Sequence, residues 1–320
     1  MNTLPIGVIT PVGQAIDRVK QVLFRPFDLS RWFIIGFGAW LAGLGQRGGY
    51  NFRLPSGGHG NTDIHADIER ACEYVTANLT WIVPLAVVIV AFLFCLGLLV
   101  LWLSSRGEFM FLHCVALNRA EVVVPWRRFR RPANSLFWFR LVIGLVNLAI
   151  ILPLLVWAGL SAYRMSTNDT WDAGGILLLV GLGLFVILIG IFFGVVLKLT
   201  IDFVVPVMFL RGKSCPDGWR ELLPLVTARF GSFVLYILFQ IVLTLAIAGA
   251  VIAIVLITCC LAGCLMILPY VGTVTLLPLL VFKRAYSLYY FAQFGADFDA
   301  FAPAAQPLPA PIPPPTAPEI

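Results

Sequence analysis

The sequence predicts an all-α protein: a polytopic membrane helix bundle of about six transmembrane helices with amphipathic cytoplasmic connectors and a pseudo-threefold internal repeat. Three observations carry that prediction. Of 320 residues, 60% are hydrophobic and 12% charged, with a mean hydropathy of +0.94; a soluble domain holds about 45–50% apolar and about 25% charged residues. Several apolar stretches exceed the ~20 residues a helix needs to cross a hydrocarbon core of about 30 Å. Finally, short motifs recur at nearly constant spacing.

The spans follow in order. Trp32 to Leu44 is short, and Trp81 to Leu103 is long and uninterrupted. Leu136 to Tyr163 carries Pro153, which predicts a kink or tilt. Ala173 to Leu197 and Phe233 to Ile257 are again uninterrupted, and Met266 to Phe282 is short and contains Pro269 and Pro278. Together they place one integral membrane domain over residues 1–295. Asp17, Arg18, Lys20, Arg25 and Asp28 leave no apolar core for a signal peptide in the first thirty residues, so insertion is expected to begin with the first span.

Charge sets the expected orientation. With the N-terminus in the cytoplasm, eighteen of the 22 basic residues fall inside, against Arg47, Arg53, Arg70 and Arg164 outside. That bias predicts a multi-pass protein of the cytoplasmic membrane with both termini cytoplasmic. The net charge of +6 is therefore read as complementing anionic lipid rather than nucleic acid.

Two segments stand apart. Outside, residues 46–80 open with a Gly/Pro/Asn run and continue into Asp63 to Ala77, where Ile64, Ile68, Cys72 and Val75 recur at helical spacing. Residues 296–320 carry eight prolines between Pro303 and Pro318 and almost no charge. Such a composition predicts a disordered cytoplasmic tail, a plain linker or a docking segment for a proline-binding protein partner.

The repeat links two inside segments. Glu108-Phe109, Trp126-Arg127 and Ser135 match Asp202-Phe203, Trp219-Arg220 and Ser232 at offsets of 94, 93 and 97 residues. Phe24-Arg25-Pro26 with Ser30 parallels Phe129-Arg130-Arg131-Pro132 with Ser135, and Leu276 to Arg284 parallels Val204 to Gly212. The unit reads as span, connector, span, twice whole and once split across the termini. A split copy closes if the first and last spans pack together. The first connector has Val12, Ala15, Ile16, Val19, Val22 and Leu23 on one face, the pattern of a helix lying in the interface plane. Gly190 and Gly194, and Gly36, Gly38, Gly43 and Gly45, are small-residue candidates for close helix packing.

At Phe203-Val-Val-Pro206, Trp219-Arg-Glu-Leu-Leu223 and Gly231-Ser-Phe233 the chain resembles uncharacterised bacterial six-span proteins related to the membrane domain of glycerophosphoryl diester phosphodiesterases. The resemblance covers roughly residues 10–295. It implies the repeated span-connector-span fold and a bacterial inner membrane location. It does not imply the phosphodiesterase activity, because the catalytic domain is absent from this sequence.

Candidate residues are few. Arg127, Arg128, Arg130 and Arg131, with Trp126, form the run PWRRFRRP at the entrance to a span. They read as topology anchors and candidate lipid-headgroup contacts. Asn147, Lys198, Asp202 and Gln240 are the candidate intramembrane polar residues. Lys198 and Asp202 are an i, i+4 pair, expected to be surface-like, with Arg140 snorkelling nearby; Asn147, Gln240 and Thr244 are expected to hydrogen-bond across helices at about 0.6 kcal/mol each. His59 and His65 with Asp63, Asp67 and Glu69 have no compact metal spacing and read as a solvated face. Cys259, Cys260 and Cys264 read as buried thiols or a disulfide. No nucleotide, nucleophile-elbow or zinc-protease motif is present, so neither catalysis nor a cofactor is expected. The expected role is a non-enzymatic lipid- or protein-binding membrane module, with a transporter or lipid-translocating protein as the alternative.

Overall fold

The computed structural model describes residues 7–44, 78–167, 172–258 and 268–301. Of the described residues 88% are helical, and none forms a β-strand. In chain order the helices are α1 (Thr10–Leu23), α2 (Leu29–Leu44), α3 (Leu79–Leu117), α4 (Val123–Arg128) and α5 (Arg130–Thr167). Then come α6 (Ala173–Leu199), a turn of π-helix (Thr200–Val204), α7 (Val205–Arg211), α8 (Cys215–Ala228), α9 (Phe230–Ile257), α10 (Pro269–Thr275) and α11 (Leu277–Ala292). A 3₁₀ turn, Ala296–Phe298, follows.

Four helical stretches, Thr80–Leu117, Arg130–Thr167, Ala173–Arg211 and Phe230–Ile257, are long and apolar enough to cross a membrane. Their most apolar windows are at most 6% buried, so Leu85, Phe92, Leu148, Leu155, Phe192 and Leu245 point outward. An exposed apolar surface of this extent fits lipid, not water, and the chain is a helical membrane protein. Two of the expected spans look different. Trp32 to Leu44 lies in the 16-residue α2, about 24 Å long at 1.5 Å per residue. The described part of Met266 to Phe282 is divided at Leu276 between α10 and α11.

The long helices outrun the hydrocarbon core. At 39 residues α3 measures about 58 Å, nearly twice the ~30 Å needed. Its last third therefore projects beyond the expected span and joins the connectors. The buried core lies there: Phe109, Leu112 and Val115 of α3, Phe203 and Val204 of the π-turn, Val207 and Met208 of α7, and Val281, Tyr286 and Phe291 of α11. Phe203 touches the rings of Phe233, Tyr236 and Phe291 at centroid distances of 5.2, 4.9 and 5.2 Å.

Helix α1 is amphipathic as expected, but protein covers much of its apolar face. Ala15, Val22 and Leu23 are buried as α1 packs on α11, and Ile16 stays exposed. Tyr286 donates to the Val8 carbonyl at 3.1 Å, and Gln293 exchanges two hydrogen bonds with the Gly7 backbone. Arg18 donates to the carbonyls of Val115 and Ala116, and Arg31 to that of Asn118. Both arginines satisfy acceptors at the C-terminus of α3, where Asn118 is left-handed at φ 55°.

The glycine expectations divide. A Cβ at Gly190 or Gly194 would meet nothing within 4 Å, so neither lies at a described helix contact. Gly36 faces Val274 of α10, and the Tyr270 hydroxyl donates to the Phe33 carbonyl at 2.8 Å. The tightest approach is at Gly107 of α3, where a Cβ would collide with the backbone of Leu41 and Ala42 in α2. Only glycine fits that crossing.

Residues 296–301, expected to open the disordered tail, are folded. Phe298 packs on Phe291, Phe301 stacks on Tyr289 at 4.1 Å, and Arg18 lies over Phe301 at 5.0 Å. The tail beyond Phe301, the expected surface helix Asp63 to Ala77, His59, His65 and Cys259, Cys260 and Cys264 lie outside the described residues.

Candidate functional site

Charge gathers in two places at the connector end. The first is PWRRFRRP. Helix α4 stops at Arg128 and α5 starts at Arg130, with buried Phe129 as the joint between them. Phe129 stacks between Phe109 at 5.7 Å and Phe209 at 4.8 Å, which ties this connector to α7. Arg127, Arg128, Arg130 and Arg131 are all exposed. With Arg211 from the second connector they surround a groove of about 530 Å³. Trp126 turns the other way: it and Trp102 hold Arg106 between them, with ring centroids 4.8 and 4.3 Å from the guanidinium carbon.

The expected headgroup arginines are thus brought together, and Arg211 joins them. Its own position is held by Glu221, which pairs with Arg211 and Lys213. The groove lining carries five guanidinium groups and no carboxylate. A planar fork of donors suits phosphate oxygens in pairs. The arrangement can bind an anion; it offers no nucleophile or general base.

The second gathering is buried. Lys198 and Asp202 form the expected ion pair at 2.6 Å, but it is not surface-like: the Asp202 side chain is 7% exposed. Tyr236 of α9 donates to Asp202 at 2.8 Å, and Gln240 donates to the Tyr236 hydroxyl at 3.0 Å. The π-turn sets this geometry, because its extra residue shifts Asp202 relative to a regular helix, a distortion frequent at functional sites. Trp219 supports it from α8 by donating to Thr200 at 3.2 Å.

Beside Asp202 lie Glu108 of α3 and Arg284 of α11, both buried and paired at 3.8 Å. Arg284 also donates to the Ile201 carbonyl at 2.9 Å, inside the π-turn. Arg140 is buried rather than snorkelling, and donates to Ser104, which donates to the Ala42 carbonyl. Near Arg140, the Cys215 thiol is pushed up to about 12 by burial, with the guanidinium pulling it back slightly. A cavity of about 280 Å³ opens between α2, α3, the π-turn and α11, lined by Glu108, Lys198, Asp202, Lys283 and Arg284 among apolar groups.

The other candidates serve less. The Asn147 Oδ1 atom is buried without a hydrogen-bond partner, so the expected bond across helices is not made there. Thr244 bonds to the Gln240 carbonyl of its own helix and accepts from Lys283 at 3.3 Å. Among the described residues no three His, Cys, Asp or Glu side chains are grouped to hold a metal ion.

Glu108 and Arg284 are the site residues that sequence reasoning overlooked. Glu108 marked the start of a repeat unit, and Arg284 lay just past the last apolar run. Only the length of α3 beyond its span, which no local pattern limits, brings Glu108 to Arg284.

The family model of a family of unknown function, DUF7544, matches residues 7–292. No curated protein and no solved structure matches the chain.

Proposed function

Because the chain belongs to DUF7544, a family of unknown function that brings no activity with it, we propose from its own residues that it is a non-enzymatic membrane module that binds anionic lipid headgroups. The observation that carries this reading is the groove where Arg127, Arg128, Arg130, Arg131 and Arg211 meet, with no carboxylate in its lining and Glu221 paired to Arg211 from outside it. Exposed apolar flanks at Val123, Val124 and Trp138 favour a lipid over a soluble anion as its occupant.

In this reading the protein lies in a bacterial inner membrane with both termini cytoplasmic, and the groove faces the cytoplasmic leaflet. The six-span, pseudo-threefold architecture belongs to the same proposal. Its support is that α2 packs on α10, and that Glu108 and Asp202, 94 residues apart in matching repeat positions, both turn into the buried charged cluster. The kinship with phosphodiesterase membrane domains, and a proline-binding partner for the tail, rest on sequence alone.

Spin-labelled lipids test the binding. In bilayers of mixed composition, phosphatidylglycerol is expected to show a larger motionally restricted fraction than phosphatidylcholine. Salt and the change of Arg127, Arg128, Arg130 and Arg131 to glutamine should both erase the difference. Equal restriction of both lipids in the wild type would refute headgroup selection.

Transport is the second reading, and one observation favours it. Glu108, Arg140, Asp202 and Arg284 are buried beside a cavity, and ionisable groups so placed line substrate and ion paths in transporters. Liposomes that show no protein-dependent flux of ions, small solutes or labelled lipid would exclude it for those substrates.

A further inference from the structure

We infer that the cavity at Arg284 is a second anion site, separate from the arginine groove, which holds the phosphodiester of one phospholipid. The lining is rich in cationic donors. Among the groups that line the cavity, Lys198, Lys283 and Arg284 outnumber Glu108 and Asp202 by one positive charge, and Arg140 lies behind them. Guanidinium and ammonium donors gathered in one place favour an anion over a cation or a neutral solute.

Arg284 supplies the independent evidence. Its side chain is 5% exposed, and its Nε and Nη2 atoms have no hydrogen-bond acceptor. Glu108 lies 3.8 Å from Nη2, near enough for attraction but beyond a hydrogen bond. A buried guanidinium with donors unused on one edge is costly unless an acceptor completes it, and two phosphate oxygens fit that edge. The cavity of about 280 Å³ holds about nine water volumes, room for a headgroup but not for acyl chains.

The chains have a path. Lys198 is shared between this cavity and a second, apolar one of about 260 Å³ lined by Ile237, Ile241 and Leu245 on α9. Ile241 and Leu245 continue onto the exposed apolar surface of the helix. A phosphate at Arg284 would therefore leave its glycerol near Lys198 and its chains against α9. The inference shares a ligand class with the proposed function, but not a single residue.

Binding stoichiometry in detergent separates the two. Titrated with a short-chain phosphatidylglycerol, the intact protein is expected to take up two equivalents by calorimetry. Arg284→Gln should take up one, as should the variant with four groove arginines changed to glutamine; Arg284→Lys should recover part of the lost site. Ala39→Leu, which fills the cavity without touching charge, should also leave one equivalent, so a folding defect in Arg284→Gln does not decide the matter. Inorganic phosphate that competes for the Arg284 site as well as the lipid does would support an anion site but overturn a lipid as its occupant. Two equivalents in both Arg284→Gln and Ala39→Leu would overturn the inference and leave the groove standing. One equivalent in the intact protein, lost only with Arg284, would refute the groove instead.

Discussion

Tyr236 is the residue on which the buried charges turn. It is fully buried, donates to Asp202 and accepts from Gln240, so its hydroxyl links α9 to the π-turn. A hydrogen bond to a charged group contributes about 1.5–3 kcal/mol. Tyr236→Phe is therefore expected to lower stability by about that amount, read as a fall in midpoint temperature on size-exclusion of heated samples. An unchanged midpoint would mean that Asp202 finds an equal donor elsewhere. Cys215 gives a chemical check at the same scale. A thiol held at about 12 is about one part in 10⁵ thiolate at pH 7, and the thiolate is the reactive form. With the other cysteines replaced, Cys215 should resist maleimide at neutral pH until the protein is denatured; rapid labelling of the folded protein would contradict its burial.

The elements show what the sequence made legible and what it did not. Apolar length identified α3, α5, α6 and α9, because a span must be apolar over a known distance. It did not identify where α3 ends, since the residues beyond Leu103 are helical for tertiary reasons and are buried by partners far away in the chain. Arg18 is an instance: a basic residue on an amphipathic helix reads as a headgroup contact, yet it caps α3 from 97 residues away. Gly107 is another, because its need for glycine comes from the backbone of α2 and not from any local small-residue pattern. Gly107→Val should force α2 and α3 apart and reduce the folded yield sharply, whereas Gly190→Val, with open space around it, should be tolerated. The π-turn was equally hidden: Lys198 and Asp202 had the right spacing for a pair, but nothing local showed that the aspartate turns inward.

For the whole molecule, the connector end is the folded body and the apolar helices are its membrane-crossing extensions. Contact between α2 and α10 brings an early and a late apolar segment together. A Cβ at Gly36 would lie 3.7 Å from that of Val274, inside the usual range of about 3.5–4.5 Å for a disulfide. Gly36→Cys with Val274→Cys should thus crosslink under mild oxidation, and failure of that pair and its neighbours would count against ring closure. Lipid recognition at the arginine groove is the claim on which the functional reading depends. Native mass spectrometry of protein released from discs of equal phosphatidylglycerol and phosphatidylcholine measures it most directly. Wild-type protein should retain phosphatidylglycerol preferentially, and glutamine at Arg127, Arg128, Arg130 and Arg131 should remove one retained molecule; the same lipid profile from both proteins would contradict it.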